Sequence, residues 1–348
     1  MNDIRFPAEW EGCESVLMAW PDLCTDWSDV LDMVLPEYVE IIRAFTGAGL
    51  RVVLLAHSSK EVELYFSVLP ERLHIIECEY NDTWTRDYGP LTVERNGRLR
   101  ALDFGFNAWG LKFASDRDNL VNLGLRNRHF IEPAIYRNER DFILEGGSVE
   151  SDGRGTILTT TKCLCSANRN GGKSKEELNE ILAQRLGADH VLWLDHGALI
   201  GDDTDSHIDT LARLCPHNTI AFTGCRDMDD PQFEELLKMR AQLTLFRTAE
   251  GEPYNLLELP MPAPVFDSEG NRLPATYANY LVTSTHLFMP VYGDKQKDTL
   301  ACQTIRVAYP EHEVVPVPCR SLLLQHGSLH CATMQIPENI FNPTVYEY

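Results

Sequence analysis

The feature that most constrains this chain is a recurring order of helix start followed by apolar strand. Candidate helices begin near Glu37, Ser174, Asp230 and Asp294, at gaps of 137, 56 and 64 residues, the first about twice the others. A unit of roughly 60 to 70 residues repeated about five times satisfies all three gaps, and a period of that kind decides the fold class before any motif does. Each start has its own local signal. Residues 37–46 set Tyr38, Ile41, Ile42 and Phe45 on one helical stripe, with Gly47 and Gly49 as the stop. Ser174-Lys175-Glu176-Glu177 has the form of a capping box ahead of Leu178, Ile181 and Leu182, closed by Gly187. Asp230-Pro231 opens a helix through Leu243 with proline at its first position, Asp294 opens one to about Tyr309, and a short helix is predicted from Ser59 to about Val68. Strands are predicted at 15–20, 50–56, 73–76, 156–165, 191–194, 254–259 and 314–317, with a hairpin of 277–281 and 287–291 around Thr283-Ser284-Thr285. No linker, low-complexity tract or long charge run divides the chain, so one closed α/β domain over 1–348 is expected.

With 348 residues, 44% hydrophobic and 24% charged, the chain can bury a substantial core. Its 31 Lys and Arg against 52 Asp and Glu leave a net charge of −21, which repels phosphate backbones and concentrates cations near a cleft. The charge argues against nucleic acid and for a small cationic substrate. No run reaches the ~18 apolar residues of a membrane span, so no membrane partner is expected. Residues 1–7 lack the basic and apolar regions of a signal peptide. Ten cysteines without a dense framework suit free thiols in a reducing, cytoplasmic compartment.

Four polar turns stand out: Thr85-Arg86-Asp87-Tyr88-Gly89-Pro90, Glu145-Gly146-Gly147, the run from Asp202 to Asp209, and His330-Cys331. The steps between Asp87, Glu145, His207 and Cys331 are 58, 62 and 124 residues, so a repeat that contributes one loop per unit brings these side chains together. The remaining unit, near 275–279, is expected to supply walls rather than catalysts. Cys331 is the candidate nucleophile, although an unpaired cysteine is more often a small buried hydrophobe. A thiolate attacks, and a nearby imidazolium lowers the thiol pKa. Asp87, Glu145 and Asp209 offer more carboxylates than acyl transfer needs. The excess makes sense if the substrate is a planar guanidinium gripped in bidentate fashion. In an extended backbone His207 and Asp209, two residues apart, emerge on one side. Taken alone, His207 reads as a surface histidine among acids and Gly146-Gly147 as an ordinary turn.

Metal and phosphate chemistry find little support. Counting from Asp203 puts Leu214 where a calcium loop needs glutamate. Cys163-Leu164-Cys165, and His326 with His330 and Cys331, lack the second spaced pair of a zinc site, so buried thiols are expected. Asn170-Gly171-Gly172-Lys173 lacks the upstream glycine of a phosphate loop.

Taken in order, these turns resemble the agmatine deiminase family, which includes the bacterial type of peptidylarginine deiminase. The resemblance spans Pro7-Ala8-Glu9-Trp10-Glu11, Ala19-Trp20-Pro21, Trp84 to Pro90, Phe106-Asn107-Ala108-Trp109-Gly110, Glu145-Gly146-Gly147, Asp203 to Asp209 and Leu329-His330-Cys331. It implies the pentein fold, a five-bladed α/β propeller with its site in a central channel. It also implies Cys331 as nucleophile, His207 as general acid/base with Glu145 beside it, and Asp87 and Asp209 on the guanidinium, with Trp84, Arg86 and Trp109 lining the substrate. No cofactor is implied, and a homo-oligomer is compatible with it. The implied reaction is hydrolysis of agmatine to N-carbamoylputrescine and ammonia through a covalent amidino-cysteine, a step of putrescine and polyamine metabolism.

The chain departs from the family pattern at Gln325-His326-Gly327-Ser328, where glycines and an asparagine are usual, at Ser206 in place of glycine, and at Gly12-Cys13 in place of Pro-His. These departures leave open what holds the far end of the substrate. Agmatine ends in an amine, whereas free arginine needs a cation, for which Arg169, Arg226 and Arg86 are the candidates. Deimination of free or peptide-borne arginine is the rival reading. A cysteine peptidase leaves Asp87 and Asp209 without a task, and a non-catalytic binding protein has no need of the full set.

Overall fold

Five small sheets account for the repeat. In four of them a first strand pairs antiparallel with the next, which pairs in parallel with a third reached through helical chain: Leu91–Arg95, Arg98–Gly105 and Tyr136–Ile143; Val149–Ser151, Thr156–Thr160 and His190–Leu194; Ala212–Cys215, Thr219–Thr223 and Asn255–Leu259; Leu281–Val282, His286–Val291 and Glu313–Pro318. The fifth takes its first strand, Met334–Ile336, from the far end of the chain and sets it antiparallel to Ser15–Ala19, which runs parallel to Arg51–Ala56. Leu73–Glu77 completes that sheet, and Ile4–Arg5 lies antiparallel to Leu91–Arg95. One sheet thus joins the two ends of the chain and closes the set. The computed structural model describes residues 4–347. The expected absence of a leader rests partly on residues 1–3, which lie outside the described residues, as do both ends of the 1–348 domain.

The crossovers follow the sequence grammar with shifts at their ends. Lys175–Leu186 starts at a true capping box, the Ser174 hydroxyl accepting from the Glu177 N–H, and ends at Gly187 in the left-handed region. Lys295–Ile305 is capped by the Asp294 carboxylate, which accepts from the N–H groups of Gln296 and Lys297. The long first gap is filled by the short helices Ala108–Leu111 and Val121–Asn127, too brief to show a stripe. The first helix runs Leu31–Gly47 rather than from 37, with Pro36 inside it, because Val34 and Leu35 are buried and extend the stripe upstream. Phe233–Leu243 begins beyond Pro231, since Asp230 accepts from the Gln232 N–H and holds a turn there. The helix from Ser59 stops at Glu63, and the apolar side chains beyond it, Leu64 and Val68, are exposed.

The predicted strand 156–165 also ends early. It stops at Thr160, whose hydroxyl accepts from the Cys163 N–H and starts the helical turn Thr161–Leu164, so Cys163 lies on a helix. Strands Ser15–Ala19 and Arg51–Ala56 are buried on both faces, as parallel strands under helices require. In each repeat the first strand follows a tight turn: Thr85–Tyr88, Gly146–Ser148, Ile208–Thr210, residues 276–279 and residues 328–333. These five turns meet. Among the described residues, no helix is long and apolar enough to cross a membrane.

Candidate active site

The turns bring Asp87, Glu145, His207, Asp209 and Cys331 into one buried group, each less than a tenth exposed. Their convergence depends on a missing side chain. A Cβ on Gly147 would lie 2.7 Å from His207 Nδ1, 2.9 Å from Asp87 Oδ1 and 3.0 Å from Asp209 Oδ2. No side chain fits there, so glycine is what lets two carboxylates and an imidazole close over the backbone at this point. The pair Gly146-Gly147 is more than a turn.

Asp87 accepts from the Gly147 N–H at 2.9 Å and from Trp109 Nε1 at 2.9 Å, so its two oxygens are aimed. Burial pushes its carboxyl up to about 6, against the pull of the His207 charge. His207 Nδ1 lies 3.7 Å from Asp87 Oδ1 and Nε2 lies 4.0 Å from Glu145 Oε2. Although burial opposes the charge, Asp87, Cys163 and Glu145 raise the imidazole pKa well above its ordinary value, so His207 holds a proton in the free cleft. The backbone from His207 to Thr210 is a turn, so the condition of an extended backbone is not met, yet both His207 and Asp209 pack over Gly147. Ser206 occupies the left-handed region at φ 64°, which explains why glycine suits that position.

Cys331 is buried, and burial together with Asp209 and Asp87 pushes its thiol well above the usual range. Its sulfur lies 3.8 Å from Asp209 Oδ2 and 3.3 Å from Asn279 Nδ2. Asn279 was not predicted. Its side chain donates to Asp209 Oδ2 at 3.2 Å and accepts from the His330 and Cys331 N–H groups at 2.9 and 3.3 Å. The fourth repeat therefore reaches the thiol, contrary to the expectation that it supplies walls alone. The signal was its position, just before a first strand, as in the other repeats.

Behind Asp209 lies a second polar layer. His330 Nδ1 donates to Asp209 Oδ2 at 2.8 Å, and its Nε2 lies 2.8 Å from Glu9 Oε1 and 3.1 Å from Arg213 Nη2. Glu9 also accepts from Arg86 Nη1 at 2.9 Å and Arg213 Nη2 at 2.8 Å, and Arg213 pairs closely with Glu150. Despite burial, which works the other way, the His330 hydrogen bond and charge hold Asp209 below its ordinary value. Arg86, expected among the substrate contacts, is committed to this layer and does not line the cleft. None of the three arginines weighed as tail cations is available. Arg169 spends its donors on Glu145, Asp205 and the Thr204 carbonyl, and Arg226 pairs with Glu258 elsewhere on the surface.

The cleft leads outward from Cys331 and Asp87 past Trp84 and Trp109 to Asp26, Asp82, Asp203 and His326. Trp84 packs on Trp27 with ring centroids 5.6 Å apart. Gly327 is forced by this wall, since a Cβ there would lie 2.2 Å from the Trp84 ring. His326, at φ 64°, is tied by Nδ1 to the Gly201 carbonyl at 2.7 Å. All ten cysteines are unpaired.

Comparison with known proteins agrees with this geometry. The five-repeat α/β architecture is the pentein fold, shared by solved deiminases that superpose on nearly the whole chain. The model of the Porphyromonas-type peptidyl-arginine deiminase family matches residues 5–337, and the chain belongs to that family. A C. jejuni agmatine deiminase, solved as a cysteine-to-serine variant with substrate bound, is 36% identical at a TM-score of 0.87, covering 97% of each chain. A protein of Porphyromonas gingivalis provisionally named arginine deiminase is 39% identical at a TM-score of 0.90, covering 98% of this chain and 100% of its own. A Marinomonas protein provisionally named agmatine deiminase is 33% identical over 97% of this chain and 95% of its own length.

Proposed function

We propose that this chain is an agmatine deiminase, hydrolysing agmatine to N-carbamoylputrescine and ammonia. The observation that carries the choice of substrate is the cleft mouth. Asp26, Asp82 and Asp203 line it, and His326 is the one basic residue among the lining side chains. A protonated amine gains three carboxylates there. The carboxylate of free arginine would meet the same three acids, with no arginine or lysine among the lining side chains and with Lys112, beside Asp203, already paired with Asp205 and the Asp203 carbonyl.

The chemistry then follows from the inner group. The guanidinium enters at the inner end of the cleft, where Asp87 and Cys331 line it, and forms charge-assisted pairs with Asp87 and Asp209. Its positive charge relieves the repulsion that keeps the Cys331 thiol protonated, so with substrate bound the thiol gives its proton to solvent and the thiolate forms. Asn279 Nδ2 can donate to it. Cys331 Sγ attacks the guanidinium carbon, and a tetrahedral adduct forms. His207, already protonated, gives its proton to the departing nitrogen, ammonia leaves, and an amidino-cysteine remains. Neutral His207 then takes a proton from water as its oxygen attacks the same carbon. The C–S bond breaks as the hydroxyl proton passes to the departing sulfur, so the ureido product leaves and the Cys331 thiol is restored. Asp87 and Asp209 hold the reacting group through both steps.

The deciding assay offers agmatine, free arginine and an arginine peptide separately and measures ammonia. Turnover of agmatine well above the other two is the expected result. Preference for arginine would overturn the reading of the cleft mouth, and peptide-bond cleavage without ammonia would overturn the deiminase reading itself.

A further inference from the structure

Both ring nitrogens of His207 are buried without a hydrogen-bond partner. Nδ1 lies 3.7 Å from Asp87 Oδ1. Nε2 lies 4.0 Å from Glu145 Oε2, and the Cys163 sulfur lies 3.9 Å from the same oxygen. One ligand atom from each of Glu145, Cys163 and His207 falls within 4.8 Å of the others, and all three residues are buried. Sequence spacing gives no hint of this set, because its members come from three separate segments.

We propose that Glu145, Cys163 and His207 form a binding site for a thiophilic divalent cation such as zinc, and that its occupancy arrests the enzyme. Tetrahedral zinc, with bonds of about 2.3 Å to sulfur and about 2.0 Å to nitrogen and oxygen, holds neighbouring ligand atoms roughly 3.3–3.5 Å apart. The Cys163 sulfur and His207 Nε2, at 3.9 and 4.0 Å from Glu145 Oε2, each need to draw in on that oxygen by about half an ångström to meet it. One thiolate, one imidazole and one carboxylate select a borderline-soft ion over magnesium or calcium, which take oxygen alone. Arg169 Nε contacts both Glu145 oxygens, at 2.8 and 2.9 Å, and so orients the carboxylate from behind, as outer partners of metal ligands do. Its guanidinium charge opposes the ion, and the Cys163 thiolate with Asp87 and Asp209 offsets it. On binding, the Cys163 thiol and the His207 Nε2 each release a proton to solvent, and bonds to the ion replace them. The fourth position is left to water.

The arrest rests on the acid/base role given to His207; the binding does not. An ion on Nε2 leaves a neutral ring whose remaining proton sits on Nδ1. That neutral ring is too weak an acid to give its proton to the departing nitrogen. Zinc should therefore lower kcat with little change in the KM for agmatine.

The test uses metal-free, full-length protein and zinc in competition with a chromophoric chelator, with cobalt absorption as a second readout. Wild type and Cys331→Ser should each bind one zinc per chain. Cys163→Ser, His207→Ala and Glu145→Gln should each bind on the order of 100-fold more weakly. The sulfur-to-cobalt charge-transfer band should appear in Cys331→Ser and be absent in Cys163→Ser, with melting curves showing that each variant is folded. No stoichiometric zinc binding in wild type overturns the site. So does binding that survives Cys163→Ser and disappears in Cys331→Ser, which would put the ion on the nucleophile. Zinc that binds as predicted yet leaves kcat intact overturns the arrest and, with it, the role of His207.

Discussion

Two histidines belong to the buried group around Cys331, the proposed nucleophile, and their surroundings are opposite. His330 is next to Cys331 in sequence and sits in a closed layer, its nitrogens within 2.8 Å of Asp209 and Glu9. His207, 124 residues earlier in the sequence, has no hydrogen-bond partner on either nitrogen. A satisfied histidine serves structure, fixing the carboxylate in front of it. An unsatisfied one, held charged by carboxylates too distant to bond it, is free to pass a proton. The front of the site carries groups that folding alone would not choose: Asp87 pushed up to about 6, a protonated His207 and a thiol far from ionising. The rear carries matched pairs.

The sharpest way to break this contrast is to remove one group from each side. Cys331→Ala should abolish turnover, and His207→Asn should lower kcat by about 10³-fold and cost less stability than a substitution in the rear, because it loses two long ion pairs but no hydrogen bond. Glu9→Gln should instead cost stability, about 3 kcal/mol, since it leaves Arg86, Arg213 and His330 facing a neutral amide in a buried layer. Chemical denaturation of the two variants side by side reads the difference. Equal destabilisation by both substitutions would erase the distinction between front and rear.

Asp87 gives the next largest effect. In the proposed mechanism it grips the guanidinium in ground and transition states alike, so Asp87→Asn should raise KM and lower kcat together, by about 10²-fold in kcat/KM. Only its ionised form binds a cation, and its pKa is about 6, so kcat/KM of the wild type should fall as pH drops through that value. A profile that stays flat to about pH 5 would remove Asp87 from the binding step.

Much of the front was legible in the sequence, and the rear was not. Asp87, Glu145, His207, Asp209 and Cys331 each sit in a polar turn at a regular step, so periodicity alone suggested that they meet. Asn279 holds the same position in its repeat but has no ionisable side chain, and chemistry-led reading passed over it. Glu9 lay in a segment noted for resemblance, yet nothing in Pro7-Ala8-Glu9-Trp10 says that its carboxylate reaches His330, 321 residues away. Arg86 misled for a related reason. It adjoins Asp87, but in the short helix Thr85–Tyr88 successive side chains diverge, sending one to the cleft and the other to Glu9. Cys163 was placed in a strand because the apolar run continues through it. The Thr160 cap turns the chain and sets the thiol beside His207 and Glu145.

The smallest predicted effect tests whether the contrast extends to the cleft mouth. Asp82 accepts from Trp27 Nε1 at 3.0 Å and from the Thr83 N–H at 2.8 Å, yet burial pushes its carboxyl up to about 7. Its folded pKa lies above the unfolded value, so folding favours the protonated form. That contribution to stability is fully present below about pH 4 and is lost as pH rises through 7. Above pH 7 the ionised side chain is a cost that a bound ammonium relieves. Asp82→Asn removes the ionisation and can keep one acceptor oxygen for Trp27, so it should melt higher than wild type at about pH 8, by roughly 2 kcal/mol or less. The gap should narrow as pH falls through 7 and close by about pH 4. The same variant should bind agmatine several-fold more weakly with kcat nearly unchanged, because the amine end lies far from the reacting carbon. If Asp82→Asn melts lower than wild type at pH 8, Asp82 belongs with the matched pairs of the rear, and the amine must be held by Asp26 and Asp203 instead.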